Sequence, residues 1–308
     1  MLFLTLLALV SYQPLENVTL AIEVAGKGPK CIIVDEIFKQ LFFDSRSASP
    51  LKDAVDAIMT ERSMTETTVA IEELRAKAQA FAKENKWQIK HEIIVASSSI
   101  AAQKNYKTLL SKIENSTGLK VSNVTTKEEA LLTFQAVVPK NEKNDSLIVD
   151  VGSGNTRLAW VEEDKFKEIT IPLGTVTATN LMNQFGEVGF ESKVKDLVKL
   201  KLPHTKIVYL TGGAAYAMQC LIKPPTEREL YIPIDIAKLR ALDLTSEYNK
   251  ISKTENKMTR VFTLPNLLAG SHLLFSILDN FPPEQSFIFV NNPKSWIVEY
   301  LREQAGNK

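Results

Sequence analysis

One arrangement of short strands occurs twice in this chain, and it narrows the folds that the chain can adopt. Each copy has three short runs rich in β-branched and aromatic residues, separated by Gly, Pro and charged residues. The runs lie at 18–24, 30–34 and 39–44 in the first copy and at 146–151, 157–162 and 167–172 in the second. Runs of this kind predict an antiparallel meander. We therefore expect a duplicated α/β architecture in which each half opens on three strands.

Helices follow each predicted meander. Residues 65–86 carry apolar side chains at helical spacing, which predicts an amphipathic helix. Thr125 and Glu128 have the spacing of a capping box, which predicts the start of another helix. The helix that begins at Thr125 continues through a helix-forming run at 130–136. The other predicted elements are strands at 91–96, 120–124, 206–210 and 287–290, and helices at 106–117, 264–281 and 295–304, with two more beginning at Thr175 and Phe190.

A polar, lysine-rich segment at 139–145 separates the two copies. We therefore predict an N-terminal domain at 18–140 and a C-terminal domain at 141–308, with the last helix free to pack back on the first domain. Residues 1–17 would be a leading segment or a signal peptide. Residues 1–10 are apolar but lack a basic start, so both a cytoplasmic and an exported, periplasmic location stay open. A run this short predicts no stable membrane span.

The charge balance argues against binding of nucleic acid. The chain has 37 Lys and Arg residues against 36 Asp and Glu residues, for a formal net charge of +1, whereas nucleic-acid binding normally needs a strong local excess of positive charge. The 2 cysteines and 3 histidines are scattered, so no zinc site is expected. The long apolar helix at 264–281 is either core or a partner surface, which leaves a homodimer open.

A glycine-rich turn follows the first strand of the second copy. It reads Asp150-Val151-Gly152-Ser153-Gly154-Asn155-Thr156 and continues directly into the next strand. Glycines at these places allow backbone N–H groups to converge on a phosphate. The acid could hold a water or a metal, and the last two side chains could donate to phosphate oxygens. The alternative is an ordinary glycine-rich hairpin.

A second glycine turn, Gly212-Gly213, lies between a predicted strand and a predicted helix. Backbone amides at a helix N-terminus suit an anion, so both glycines are candidates for phosphate binding. The alternative is a tight strand-to-helix turn without a ligand.

The Asp150 turn and an upstream Glu128-Glu129-Ala130 helix start together resemble the exopolyphosphatase/guanosine pentaphosphate phosphatase (Ppx/GppA) family. The segments at 171–176 and 210–214 also resemble that family. The resemblance implies two actin-like (ribonuclease H-like) βββαβα domains with a cleft between them. It further implies hydrolysis of the terminal phosphoanhydride bonds of polyphosphate or guanosine pentaphosphate.

The same resemblance assigns roles to individual residues. Glu129 would be the base that activates the attacking water, and Asp150 and Glu23 would hold Mg²⁺, a hard cation that prefers oxygen ligands. Backbone amides at 152–155 and 212–213 would bind the terminal phosphates. Thr156 would add a hydroxyl to that set.

Several departures from the family pattern lie in the expected ligand site. The first phosphate loop of the family reads D-x-G-S-N-S, whereas this chain has Glu23-Val24-Ala25-Gly26-Lys27-Gly28. The acid is kept and the hydroxyls are lost, so Gly26 and Lys27 become the phosphate-binding candidates there. Ala101 and Ala214 replace a basic residue and a threonine. These losses favour an alternative function, a degenerate relative that binds phosphate or polyphosphate without turnover.

A third function is suggested by residues 150–160, which also resemble a strand of type III pantothenate kinases. In those kinases, however, the motif lies at the N-terminus, whereas here it opens the second half. An actin-like-fold small-molecule kinase therefore ranks third.

Overall fold

The computed structural model describes residues 16–226, 228–253, 257–291 and 295–306. The predictions for the apolar run at 1–10 fall outside the described residues.

The first sheet contains five strands and forms the N-terminal half. Its strands are β1 (Asn17–Ala25), β2 (Gly28–Val34), β3 (Gln40–Ser45), β4 (Gln88–Ala96) and β5 (Val121–Asn123), in the order β3-β2-β1-β4-β5. The first three strands pair antiparallel, as the meander pattern predicts, and β4 and β5 extend the sheet in parallel to β1.

The helices of this half are α1 (Glu61–Glu84), α2 (Ser98–Ala101), α3 (Tyr106–Thr117) and α4 (Thr126–Val137). At the start of α4, the Thr125 side chain accepts from the Glu128 amide and the Glu128 carboxylate accepts from the Thr125 amide. The predicted capping box is therefore confirmed. The C-cap of α3 is Gly118, with φ of 70°, a conformation that glycine adopts without the steric cost of a side chain.

The second sheet contains six strands in the order β10-β11-β9-β6-β7-β8. Their bounds are β6 (Ser146–Val151), β7 (Thr156–Glu162), β8 (Lys165–Ile171), β9 (Ile207–Thr211), β10 (Tyr231–Pro233) and β11 (Ser286–Val290). Strands β6, β7 and β8 form the second antiparallel meander, and β9 pairs parallel to β6. The repeat predicted from the sequence is thus present in the structure.

Seven helices are described in the second half: α5 (Thr175–Leu197), α6 (Gly212–Ile222), α7 (Ile236–Arg240), α8 (Leu244–Ser252), α9 (Lys257–Val261), α10 (Leu264–Leu278) and α11 (Ser295–Gly306). Gly186 interrupts α5 with a φ of 70°. This interruption agrees with the two helices predicted to begin at Thr175 and Phe190. None of the described helices is long and apolar enough to cross a membrane.

Helix α4 contacts both sheets, and this position brings its first turn to the candidate site. Leu132 packs with Ala21 of β1 and with residues of α11. Ala130 and Phe134 pack instead with Ile148 and its neighbours in the second sheet. Burying both faces holds the helix between the two sheets, so the acidic residues of its first turn lie near the end of β6. The division of the chain at 140/141 stays a prediction.

Candidate functional site

The loop 152–155 connects β6 to β7 and is anchored through its carbonyl groups. The Gly152 carbonyl accepts from the Thr175 amide at 2.9 Å, and the Ser153 carbonyl accepts from the Val176 amide at 2.8 Å. Both donors belong to the first turn of α5. Within the described part of the chain, the amides of Ser153, Gly154 and Asn155 donate no hydrogen bond. Three successive amides are therefore available to an anion.

The glycines of this loop are required by the close approach of other loops. A Cβ at Gly154 would lie 2.6 Å from Cβ of Ser99, and a Cβ at Gly26 would lie 2.7 Å from Oγ of Ser153. The turns after β1, β4 and β6 therefore meet at one place. This contact brings Gly26 and Lys27 next to the 152–155 loop, as the sequence suggested, although the two loops are more than a hundred residues apart.

Lys27 has an unusual environment at this meeting point. Its Nζ lies 3.0 Å from the ring centroid of Phe262, is buried, and has no hydrogen-bond partner among the described residues. Desolvation by this burial lowers the pKa of Lys27 to about 6. An incoming anion would favour the charged ammonium form, so the amine is suited to a phosphate ligand.

A buried arginine that the sequence reasoning did not single out lies between the two predicted catalytic acids. Nη1 of Arg157 lies 2.6 Å from Oε1 of Glu129, and Nη2 forms an ion pair with Oδ2 of Asp150. All three side chains are at most 7% exposed. Burial disfavours the charged guanidinium, but the charges of Asp150 and Glu129 outweigh that effect and raise the pKa of Arg157. The arginine thus neutralises part of the acidic charge.

The second oxygen of Glu129 is engaged as well. The Ser98 amide donates to Oε2 at 2.7 Å, and the Ser98 hydroxyl accepts from the side-chain amide of Asn155 at 3.0 Å. Arg157 lies 3.4 Å from the same hydroxyl. Ser98 therefore links the predicted base to the glycine-rich loop. It was missed because nothing in its local sequence separates it from Ser97 and Ser99.

Two other predicted residues use their polar atoms elsewhere in the fold. The Glu23 carboxylate accepts from Nζ of Lys30 at 3.0 Å and from the indole Nε1 of Trp296 at 3.1 Å. The hydroxyl of Thr156 donates to the Leu173 carbonyl at 2.7 Å. Both side chains are buried. Their assignment to metal and phosphate stays a prediction.

The residues present do not fit a magnesium site. Mg²⁺ prefers six oxygen ligands in near-octahedral geometry, whereas Asp150 is paired with Arg157 and Glu23 with Lys30. No group of three or more His, Cys, Asp or Glu side chains that could hold a metal occurs within the described ranges. No chemical step is therefore assigned to a metal here.

The second glycine turn, Gly212-Gly213, packs closely against two residues of the candidate site. Gly212 has a φ of 84°, and a Cβ there would collide with Oδ1 of Asp150. A Cβ at Gly213 would lie 2.9 Å from Cζ of Phe262, the ring that covers Lys27. These glycines therefore position Asp150 and Phe262, and they place the N-terminus of α6 beside both.

A sequence signal for Arg157 was available in the motif itself. Asp150 and Arg157 are opposite each other in the β6–β7 ladder, and their charges are complementary. An acid and a base seven residues apart across a predicted hairpin indicate a cross-strand ion pair.

Comparisons with known proteins agree with this arrangement. A sequence model described as the Ppx/GppA phosphatase family matches residues 40–252, and no curated protein matches. A Ppx/GppA family member from Aquifex aeolicus is similar at 17% identity and a TM-score of 0.63, covering 94% of this chain and 98% of its own. An exopolyphosphatase from Cytophaga hutchinsonii is similar at 14% identity and a TM-score of 0.66, with the same coverage.

These solved structures share the duplicated α/β fold, so the predicted fold class is confirmed. The family match spans more than half of the chain and includes the Glu129 helix and both glycine turns. The chain belongs to the Ppx/GppA phosphatase family.

Proposed function

We propose that this protein binds the phosphate groups of polyphosphate, or of a phosphorylated nucleotide, and that hydrolysis at the site is slow or absent. The ligand would lie against the free amides of Ser153, Gly154 and Asn155 and would pair with the ammonium of Lys27. The observation that carries the proposal is the buried Arg157, which engages Glu129 and Asp150 together.

The engagement of Glu129 bears directly on turnover. A general base must accept a proton from water in the transition state and must be within hydrogen-bond reach of that water. One oxygen of Glu129 is paired with Arg157 and the other accepts from the Ser98 amide. A proton on this carboxylate would weaken the ion pair, so the carboxylate is better suited to holding the loop than to activating water.

Phosphate binding has support that does not depend on Glu129. Lys27 follows Gly26, which contacts the glycine-rich loop, and its buried amine has no hydrogen-bond partner among the described residues. The loop itself presents three free amides. An unsatisfied buried donor is costly unless a ligand pairs with it. A phosphate group offers several acceptor oxygens and negative charge, which match both features.

A second candidate function is exopolyphosphatase activity, the first function suggested by the sequence. Membership of the Ppx/GppA family and the position of Glu129 beside the glycine-rich loop favour it. For this activity, Arg157 would have to release Glu129 when the substrate binds. The guanidinium would then pair with the phosphate instead.

One experiment separates the two functions. Phosphate release from long-chain polyphosphate is measured for the wild type and for Glu129→Gln, and polyphosphate binding is measured on the same samples. We expect binding by both proteins with no release above the buffer blank. Release by the wild type that disappears in Glu129→Gln would establish the hydrolase and overturn the proposal.

The binding site itself is tested with Lys27→Met. We expect this change to weaken polyphosphate binding by about tenfold or more, equivalent to about 1.4 kcal/mol. Lys199→Met is the matched control, because Lys199 is a surface residue whose side chain is 69% exposed. Equal binding by both variants would place the ligand elsewhere.

A further inference from the structure

In each half of the molecule, an acid precedes the glycine turn and pairs with a basic residue on the neighbouring strand. Glu23 and Lys30 are directly opposite each other in the β1–β2 ladder, and Asp150 and Arg157 are directly opposite in the β6–β7 ladder. Each pair has the same separation of seven residues along the chain. A basic side chain thus faces each predicted metal ligand from the neighbouring strand.

Arg157 differs from Lys30, its counterpart in the first half, because it contacts two acids. Its Nη1 and Nη2 atoms are directed to Glu129 and Asp150, respectively. A planar guanidinium can hold two carboxylates in this forked arrangement, which a spherical ammonium matches less well. One oxygen of each carboxylate is therefore paired with a permanent cation.

We infer that Arg157 and Lys30 are built-in counter-ions that take the place of a divalent cation, so that this protein binds its phosphate ligand without metal and Arg157 excludes metal from the Glu129–Asp150 pair. The part that concerns phosphate rests on the proposed function, whereas the exclusion of metal does not. The ammonium of Lys27 then supplies the positive charge that faces the ligand. The magnesium ion expected from the family resemblance is not needed in this arrangement.

The exclusion of metal is tested with Mn²⁺, whose binding is measured by calorimetry and by its paramagnetic resonance signal in the absence of phosphate. We expect no stoichiometric Mn²⁺ site in the wild type. Arg157→Met should create one site per chain with an affinity at least tenfold above that of the wild type, because it leaves Glu129 and Asp150 without a counter-ion. Arg157→Lys should remain without a site, because it keeps the positive charge.

Arg75→Met is the matched control. Arg75 also pairs with a partly buried acid, Glu92, at 2.6 Å, but its other contact is the Thr117 carbonyl and not a second acid. This variant should bind Mn²⁺ no better than the wild type. A stoichiometric Mn²⁺ site in the wild type that is lost in Asp150→Asn would overturn the inference, and this result does not require Arg157→Met to fold.

The phosphate part is tested by polyphosphate binding to the wild type with excess EDTA and with Mg²⁺. Equal affinity in the two conditions is expected. Affinity that falls at least tenfold in EDTA would overturn metal-free binding. If polyphosphate does not bind in either condition, the proposed function fails, and the Mn²⁺ result still decides whether Arg157 excludes metal.

Discussion

The first hairpin of each half contains an acid–base pair across its two strands. The two pairs differ in which member contacts a third residue. In the β1–β2 hairpin the acid, Glu23, gains the additional partner, because Trp296 of the C-terminal helix donates to it. In the β6–β7 hairpin the base, Arg157, gains the additional partner, Glu129 of α4. The first pair therefore attaches α11 to the N-terminal sheet, whereas the second attaches α4 to the β6–β7 hairpin.

The turns of the two hairpins also differ in what they offer to a ligand. The β1–β2 turn is short, since Ala25 pairs with Gly28, and it contributes the Lys27 amine. The β6–β7 turn extends from the Val151–Thr156 pair and contributes backbone amides. Under the proposed function, the first turn would supply charge and the second would supply hydrogen-bond donors.

Of the single substitutions compared at one pH, the removal of Arg157 should lower the free energy of unfolding the most. Arg157→Met leaves two buried carboxylates without a counter-ion, and breaking a buried pair in this way costs about 3–5 kcal/mol. The free energy of unfolding, measured with urea, should fall by that amount. Arg75→Met should cost only about 1 kcal/mol, because its pair is partly exposed. Equal losses would show that the bridge to Glu129 adds nothing to stability.

The second largest effect is expected at the corner between β9 and α6. Gly212→Ala would place a methyl group against Oδ1 of Asp150 and the backbone of Val151 in addition to requiring a positive φ. We expect a loss of about 2–4 kcal/mol in the free energy of unfolding. Gly186→Ala is the control, because Gly186 has a φ of 70° with nothing within 4 Å of the added carbon, and it should lose about 1 kcal/mol.

Similar losses for these two glycine variants would mean that Asp150 can move away from Gly212. The acid would then be held less firmly than the structure shows, and Arg157 would be the only residue that positions it.

Loss of the indole donor should have a smaller effect and should be confined to the first hairpin. Trp296→Phe removes the hydrogen bond to Glu23 and leaves a buried carboxylate with Lys30 alone, at a cost of about 1–3 kcal/mol. Trp160→Phe is the matched control, because the Trp160 indole nitrogen is buried with no hydrogen-bond partner among the described residues. Thermal unfolding should therefore show a lower Tm for Trp296→Phe than for Trp160→Phe, and the reverse order would contradict this role of Glu23.

The parts of the fold that depend on neighbours in sequence were predictable. The meanders, the capping box at Thr125 and the end of α3 at Gly118 each follow from a local pattern. The short elements β10, α7, α8 and α9 were not predicted. Strand β10 and helices α7 and α9 contain three to five residues each, so their local patterns are too short to be recognised. Helix α8 has nine residues, and its omission has no such explanation.

The candidate site was predictable only in part, because its chemistry depends on contacts between distant segments. The motif placed Glu129 and Asp150 at the site, but the hydrogen bond between Glu23 and Trp296 spans 273 residues. The burial of Lys27 under Phe262 also depends on two segments that are distant in sequence. Charge pairing across the hairpins could have been read from the sequence, whereas the contact of Trp296 with Glu23 could not.

The last expected effect depends on pH and concerns the charge that the first hairpin contributes. Burial lowers the pKa of Lys27 to about 6, well below its value of about 10.4 in an unfolded chain. Between these two pH values the unfolded state binds more protons than the folded state, so this group makes the free energy of unfolding rise with pH, by at most about 1.4 kcal/mol per pH unit. Below about pH 6 the slope disappears, because Lys27 is protonated in both states, and the destabilisation caused by burying its charge is then at its full value.

Lys27→Met should remove this slope. Urea unfolding of the wild type and the variant is measured at several pH values between about 6 and 10. The free energy of unfolding of the wild type should rise relative to that of the variant as the pH rises. Saturating polyphosphate should reduce the pH dependence of the wild type, because a bound phosphate stabilises the protonated amine and so narrows the difference in proton binding between the two states. A difference between the two proteins that does not change with pH would mean that Lys27 keeps its proton in the fold. The first hairpin would then hold a permanent buried cation, as the second hairpin already does at Arg157.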